Sequence, residues 1–359
     1  EFLRVEILCL NLHSCMLRSS FLLWLSMINH YIKTTCNHLF VFAFCALALL
    51  VEAAETPGFI SSVDWIENQQ RHRLVPEKDI WWAETGEQMA WMHKNVHQLF
   101  PTVNVYRSGP VKPIERNLNS EIGEFLVGGD IPFAEFLSSD VTTTLGLLIL
   151  HKGEVVYESY PRMQSYEKPI YWSVAKVMPA ILIRMFEERG LVDVDRDIEY
   201  YIPELTTSDF AGIKIRNILD MTTGLDCQDE YIDRQSCYYQ YSMAIGDGYR
   251  EEGAPDNPYD FLKTLKVTKH GGQGEKFSYS GVNTFVLSWL IEKITGEPFQ
   301  DAFTREIWGK IGAESDASFL AYRYGIALAH GGFLSNMRDM ARFGLLFTPS
   351  YSTISDERI

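Results

Sequence analysis

The order of the patterned segments limits the fold more than any other feature of this chain. TLGLLIL (144–150), the turn HKG, and EVVYESY (154–160) read as two strands joined by a glycine-bearing turn. The patterned runs after them read as helices. Over 174–189, Val174, Val177, Met178, Ile181, Leu182, Met185 and Phe186 recur at helical spacing, and Gly190 supplies the stop. Pro179 falls inside that run and is expected to remove one hydrogen bond and bend the helix. A second apolar helix is expected over 284–295, closed by Gly296 and Pro298, and a third over 335–347 with Ser335 as its cap. Strands followed by helices, with no repeated βα unit, point to an α+β fold rather than a doubly wound sheet. Residues 54–140 are Pro-punctuated without clear periodicity and read as an irregular N-terminal arm over the surface.

Of the 359 residues, 46% are hydrophobic and 13% aromatic, which supplies a large core and excludes disorder. Formal charge is −15, with 32 basic against 47 acidic residues, so a generally cationic, nucleic-acid-binding surface is excluded. Near the start, Lys33 precedes the 13-residue apolar run Leu39–Val51, and Val51-Glu52-Ala53 resembles a cleavage site. Residues 27–53 therefore read as a signal peptide cut near Ala53, and 1–26 as upstream translation outside the native protein. A retained membrane anchor is the alternative, although the run is shorter than the roughly 20 residues a span needs. The expected location is periplasmic or secreted, with no stable membrane anchor after cleavage. Four of the six cysteines precede residue 53, which leaves Cys227 and Cys237. In an oxidising compartment a disulfide closing that short loop is the natural reading, and two unpaired thiols the alternative.

G-x-S-x-G, H-E-x-x-H, paired C-x-x-C and Walker patterns are absent. Asp193, Asp195, Asp197 and Glu204 imitate a calcium loop, but Ile198 stands where its sharp turn needs glycine. His270 and His330, each beside a Gly-Gly pair, read as loop residues rather than metal ligands, so neither metal nor cofactor is expected.

The tetrad S-x-x-K occurs twice, at Ser165–Lys168 and Ser173–Lys176. Pro169 follows Lys168 at once, so no helix readily carries that pair forward. Ser173 opens the apolar helix behind Trp172, and residues three apart on a helix share a face. A serine hydroxyl needs a base within hydrogen-bond reach, and a lysine serves when neutral, a state that burial favours. The helix start adds N–H groups and a positive dipole end for a developing oxyanion. Tyr279, in FSYSGVN before the 284–295 helix, is placed to carry a proton among serine, lysine and leaving group.

Together WSVAK, IRNILDMTTGLD (215–226) and FSYSGVNTFVLSWLIEKITG (277–296) resemble the serine β-lactamase-related superfamily, which includes class C β-lactamases and D-alanyl-D-alanine carboxypeptidases. IWGKIGAESDASF (307–319) and HGGFLSNMRDMARFG (330–344) look closest to its nylon-oligomer (6-aminohexanoate-dimer) hydrolase branch. The resemblance implies an antiparallel sheet flanked by helices plus a mostly helical domain, with the site in the cleft between. It implies that Ser173 is the acylated nucleophile, Lys176 its base and Tyr279 the relay, with Trp172 and Asn283 contacting substrate.

Two departures stand out. The third position of the Y-x-N triplet is Gly281, with Asn283 two residues on. The family's further strands, one bearing K-T-G or H-x-G, have no counterpart before Ile359. The hydrolase domain is thus expected over 141–347, C-terminally truncated, with 348–359 a tail and an unpaired edge on the 143–160 strands. The expected activity is exported serine hydrolysis of a small amide or ester, β-lactam or peptidoglycan-like substrate. The alternatives are a non-catalytic penicillin-binding-like or cell-wall-associated protein, or an inactive fragment.

Overall fold

The computed structural model describes residues 86–248 and 251–356. The signal peptide reading at 27–53 and the reading of 1–26 lie outside these residues. Among the described residues no helix is long and apolar enough to cross a membrane.

The chain enters through helix α1 (Gly86–Leu99) and strand β1 (Thr102–Val105). A short helix α2 (Glu121–Glu124), the two-residue strands β2 (Leu126–Val127) and β3 (Ile131–Pro132), and α3 (Phe133–Ser138) follow. The expected irregular arm is thus regular over much of its described length. β1 pairs antiparallel with a later strand, β6 (Ala317–Leu320), from Thr102 opposite Leu320 to Val105 opposite Ala317. Met92, Val96 and Val105 are fully buried, so this segment belongs to the core. Its sequence hid this because α1 buries only part of its surface and β1 is too short to show an alternation.

The two expected strands form a hairpin of β4 (Leu147–His151) and β5 (Glu154–Ser159). Lys152 and Gly153 turn the corner at φ 52° and 86°, the left-handed pair that matches strand twist. β4 and β5 make a two-stranded sheet of their own. The outer side of β5 is not bare, because Asn117 and Asn119 N–H groups donate to the Val155 and Val156 carbonyls. The second sheet has the order β1-β6-β7, where β7 is Phe333–Leu334.

Between the hairpin and β6 the chain is helical. A 3-10 turn, Trp172–Lys176, leads directly into α4 (Val177–Glu188). Pro179 therefore lies in the first turn of α4, where an N–H has no intrahelical acceptor, and the expected bend is not needed. Next come α5 (Ile215–Leu219), α6 (Cys237–Ile245), α7 (Pro258–Lys263), α8 (Gly281–Thr295) and α9 (Phe299–Glu306). α10 (Met337–Leu345) follows β7, and its cap is Asn336, not Ser335. Asn336 Oδ1 accepts from the Asp339 N–H at 2.7 Å, one residue after the expected cap.

α8 is buried on all sides from Gly281 to Ile291, as an apolar helix without a polar stripe should be. Beside it Phe299, Phe303, Trp308, Phe319 and Phe333 interlock, with the Trp308 and Phe333 rings edge-to-face at 5.2 Å and those of Phe319 and Phe333 tilted at 5.0 Å. The Phe333 carbonyl accepts the Tyr171 N–H at 2.8 Å, so this rigid core holds the 172–176 turn directly.

Candidate active site

Ser173 stands exposed on the 3-10 turn, and Lys176 behind it is only 8% exposed. The lysine Nζ lies 3.0 Å from Ser173 Oγ and donates to the His330 carbonyl at 2.8 Å. Its third neighbour is Asp229, with Oδ2 3.6 Å away. The Tyr279 ring lies against it, centroid 4.6 Å from Nζ. Spacing paired Ser173 with Lys176, and the FSYSGVN context and the family resemblance added Tyr279; the structure brings all three around the Lys176 Nζ position.

Tyr279 is presented by the turn that leads into α8. Ser278 N–H donates to the Met221 carbonyl at 2.8 Å, and the Tyr279 carbonyl accepts from Asp229 N–H at 3.0 Å. Met221, in the IRNILDMTTGLD segment, has φ 53° and reverses the chain behind this turn. The Ser280 hydroxyl donates to the Cys227 carbonyl at 2.6 Å.

Cys227 and Cys237 form a disulfide, and the closed loop between them carries Asp229 and Tyr231 into the site. Asp229 Oδ1 accepts from the Gly281 N–H at 2.5 Å, and Oδ2 accepts from the Tyr231 hydroxyl at 3.2 Å. Burial raises the Asp229 carboxyl above its ordinary range, opposed by the Lys176 charge and the Gly281 N–H. The Tyr231 hydroxyl is raised by burial and then by the Asp229 charge, and remains a proton donor.

Gly281 is accommodated rather than deficient. A Cβ there would lie 2.8 Å from His330 Cδ2 and 3.0 Å from Tyr238 Cε2, so these rings occupy the space a longer side chain would take. His330 is buried between two phenols, with Tyr241 Oη 3.1 Å from Nδ1 and Tyr238 Oη 3.4 Å from Nε2. Burial, and then the adjacent Lys176 charge, hold the imidazole well below its ordinary pKa and therefore neutral. It is thus not merely the loop residue that its Gly-Gly neighbours suggested.

The dyad opens into a cavity of about 420 Å³ whose walls include Trp172, Tyr231, Tyr238, Leu328 and Asp247. Asp247 Oδ1 is buried with no hydrogen-bond partner among the described residues. Desolvation pushes that carboxyl up to about 6, with the Tyr322 hydroxyl acting in the opposite direction. Trp172 lines the cleft beside Ser173.

Asn283 does not line it. It is the third residue of α8, 2% exposed, and points into the protein, so it cannot replace a cleft amide at position 281. The other tetrad is also apart from the site: Lys168 Nζ donates to the Asp316 carbonyl at 2.7 Å from an exposed turn. Among the described residues no group of three or more His, Cys, Asp or Glu side chains is placed to hold a metal ion. In the calcium-like stretch, Asp195 pairs with Arg216 at 2.9 Å and Glu204 with Lys293.

Asp229, Tyr231, Asp247 and His330 escaped sequence reasoning. Only the Cys227–Cys237 spacing carried a signal, since a disulfide closing ten residues concentrates attention on the residues it encloses.

Antiparallel sheets flanked by helices, with the Ser173–Lys176 turn at the head of a core helix, place the chain in the β-lactamase class of fold. The chain belongs to the Beta-lactamase family, whose model matches residues 133–356. It is 29% identical over 270 residues to a 6-aminohexanoate-dimer hydrolase of Paenarthrobacter ureafaciens, covering 75% of this chain and 66% of that protein. This chain therefore spans just under two thirds of that relative's length. A solved structure from Bacillus anthracis, described as a candidate 6-aminohexanoate-dimer hydrolase, superimposes with a TM-score of 0.64 at 23% identity. That match covers 75% of this chain and 72% of the other, and it supports the fold.

Proposed function

We propose that this protein is an exported serine hydrolase that opens a small amide or ester through an acyl-enzyme on Ser173. The observation that carries the reading is the Lys176 amine, buried and 3.0 Å from an exposed Ser173 hydroxyl. Ser173 Oγ attacks the substrate carbonyl carbon while its proton passes to the Lys176 amine. The tetrahedral oxyanion forms beside the N–H groups at the start of the 172–176 turn. As it collapses, the leaving amine or alcohol takes a proton through the Tyr279 hydroxyl, and the acyl group remains on Ser173. Water then attacks the ester, gives its proton back through the same groups, and releases the acid and the serine hydroxyl.

The name of the Paenarthrobacter ureafaciens relative favours a linear amide over a β-lactam as substrate. The Cys227–Cys237 disulfide agrees with an oxidising compartment, and residues 27–53 are the proposed export signal. Hydrolysis of a chromogenic amide and ester series by wild type and Ser173→Ala tests the reading. Wild type should turn over with trapping of a covalent acyl-protein on acid quench, and Ser173→Ala should do neither. Equal turnover by both proteins would overturn it.

A further inference from the structure

The family match begins at residue 133, yet one wall of the cleft comes from before it. Helix α1 contributes Met89 and His93 to the cavity that holds Ser173 and Lys176. His93 also grips the residues that lead into the nucleophile. Its main-chain carbonyl accepts the Ile170 N–H at 2.9 Å. Its Nε2 accepts the Trp172 indole N–H at 3.3 Å, and the two rings meet edge-on at 5.5 Å and 71°.

Trp172 needs such a grip. Its φ is 40°, a left-handed backbone that an aromatic side chain adopts at a cost and keeps only when its surroundings impose it. The next residue is Ser173, so this backbone conformation sets where the hydroxyl points. On the other side, Tyr171 N–H is held by the Phe333 carbonyl at 2.8 Å. The segment 170–172 is therefore clamped between α1 and β7, and only the α1 side of the clamp faces the cleft.

We infer that His93 is a positioning residue, which locks Trp172 in its left-handed conformation and so fixes the aim of Ser173, while Met89 and His93 line the cleft beside it. Because Nε2 is the acceptor, the neutral ring carries its proton on Nδ1. A side chain that keeps an acceptor at the Nε2 position should keep the function, and one that only fills the space should not. The inference rests on the proposed role of Ser173, and its test separates the two.

The measurement is the rate of covalent labelling of the full chain by a fluorophosphonate, with kcat and KM for a small ester. His93→Leu should slow labelling and kcat about tenfold and leave KM within about twofold. His93→Gln, whose amide oxygen reaches the Nε2 position, should recover to within about threefold of wild type. Trp172→Phe, which removes the donor, should show the same loss, and His93→Leu/Trp172→Phe should be no slower than either single variant. Wild-type labelling in His93→Leu, a Gln variant no better than Leu, or additive losses in the double variant would each overturn the inference. If Ser173→Ala labels as fast as wild type, the hydrolase reading fails. The His93–Trp172 pair is then read from thermal unfolding of the same four proteins: non-additive shifts in Tm support the clamp, and additive shifts overturn it.

Discussion

Ser165–Lys168 and Ser173–Lys176 are the same four-residue pattern with opposite fates. In the first, Lys168 reaches across the surface to the Asp316 carbonyl, and Pro169 prevents the turn from continuing. In the second, a 3-10 turn runs into α4, Ala175 and Met178 are fully buried, and Lys176 is drawn inward with them. The difference lies in the residues downstream of each tetrad rather than in the tetrad itself. An apolar helix behind the serine anchors the lysine beside it, and the surrounding loops then supply the lysine's remaining contacts. A motif of this kind acquires chemistry from burial.

That contrast can be broken directly. Lys176→Ala should lower the acylation rate at least 10³-fold, the scale of losing a general base, whereas Lys168→Ala should stay within about threefold. Comparable losses in the two variants, measured by stopped-flow labelling, would remove the distinction.

A smaller effect is expected where the second tetrad depends on the disulfide-closed loop. Closing a loop of this length restricts the unfolded chain by about 3 kcal/mol. Cys227→Ser/Cys237→Ser should lose roughly that much in denaturant unfolding. It should also slow acylation, because Asp229 would no longer be held 3.6 Å from Lys176. Lost stability with an unchanged acylation rate would show that the loop braces the fold without supporting the dyad.

The smallest effect sharpens the comparison through pH. Asp247 shares the cleft with Ser173 and Lys176, and its carboxyl is raised from 3.8 to about 6 by burial. Between those values the folded protein binds a proton that the unfolded chain has released, so stability falls as pH rises. The cost is complete above about pH 6 and is on the order of 1–3 kcal/mol. Asp247→Asn should therefore melt above wild type at pH 8, and the two should converge below pH 4. Parallel melting curves across that range would contradict a buried, desolvated acid in the cleft.

Much of this was legible before the structure. The β4–β5 hairpin, α4, α8 and α10 all derive from period and punctuation, because each buries a patterned face or is apolar throughout. The dyad was legible for the same reason, since Ser173 heads a helix whose next turns are core. The features that escaped were non-local. Asp229 reaches Lys176 from more than fifty residues away, and its approach depends on a disulfide and on the Gly281 N–H, neither of which has a periodic signature. His330 looked like a loop histidine because nothing in HGG reveals that Tyr238 and Tyr241 enclose its ring. Asn283 misled for the opposite reason: closeness in sequence to Tyr279 suggested the cleft, but one turn of helix points it into the core. The strand Thr102–Val105 was missed because its partner is more than two hundred residues away.

The central claim is that only the second serine is a nucleophile. Trypsin releases Met163–Lys176 as one peptide, since Pro169 protects the Lys168 bond, so both serines travel together. Fragmentation of that peptide after fluorophosphonate treatment locates the adduct. The added mass is expected on Ser173 alone, with Ser165 unmodified. An adduct on Ser165, or on neither serine in a protein that still turns over substrate, would contradict the claim.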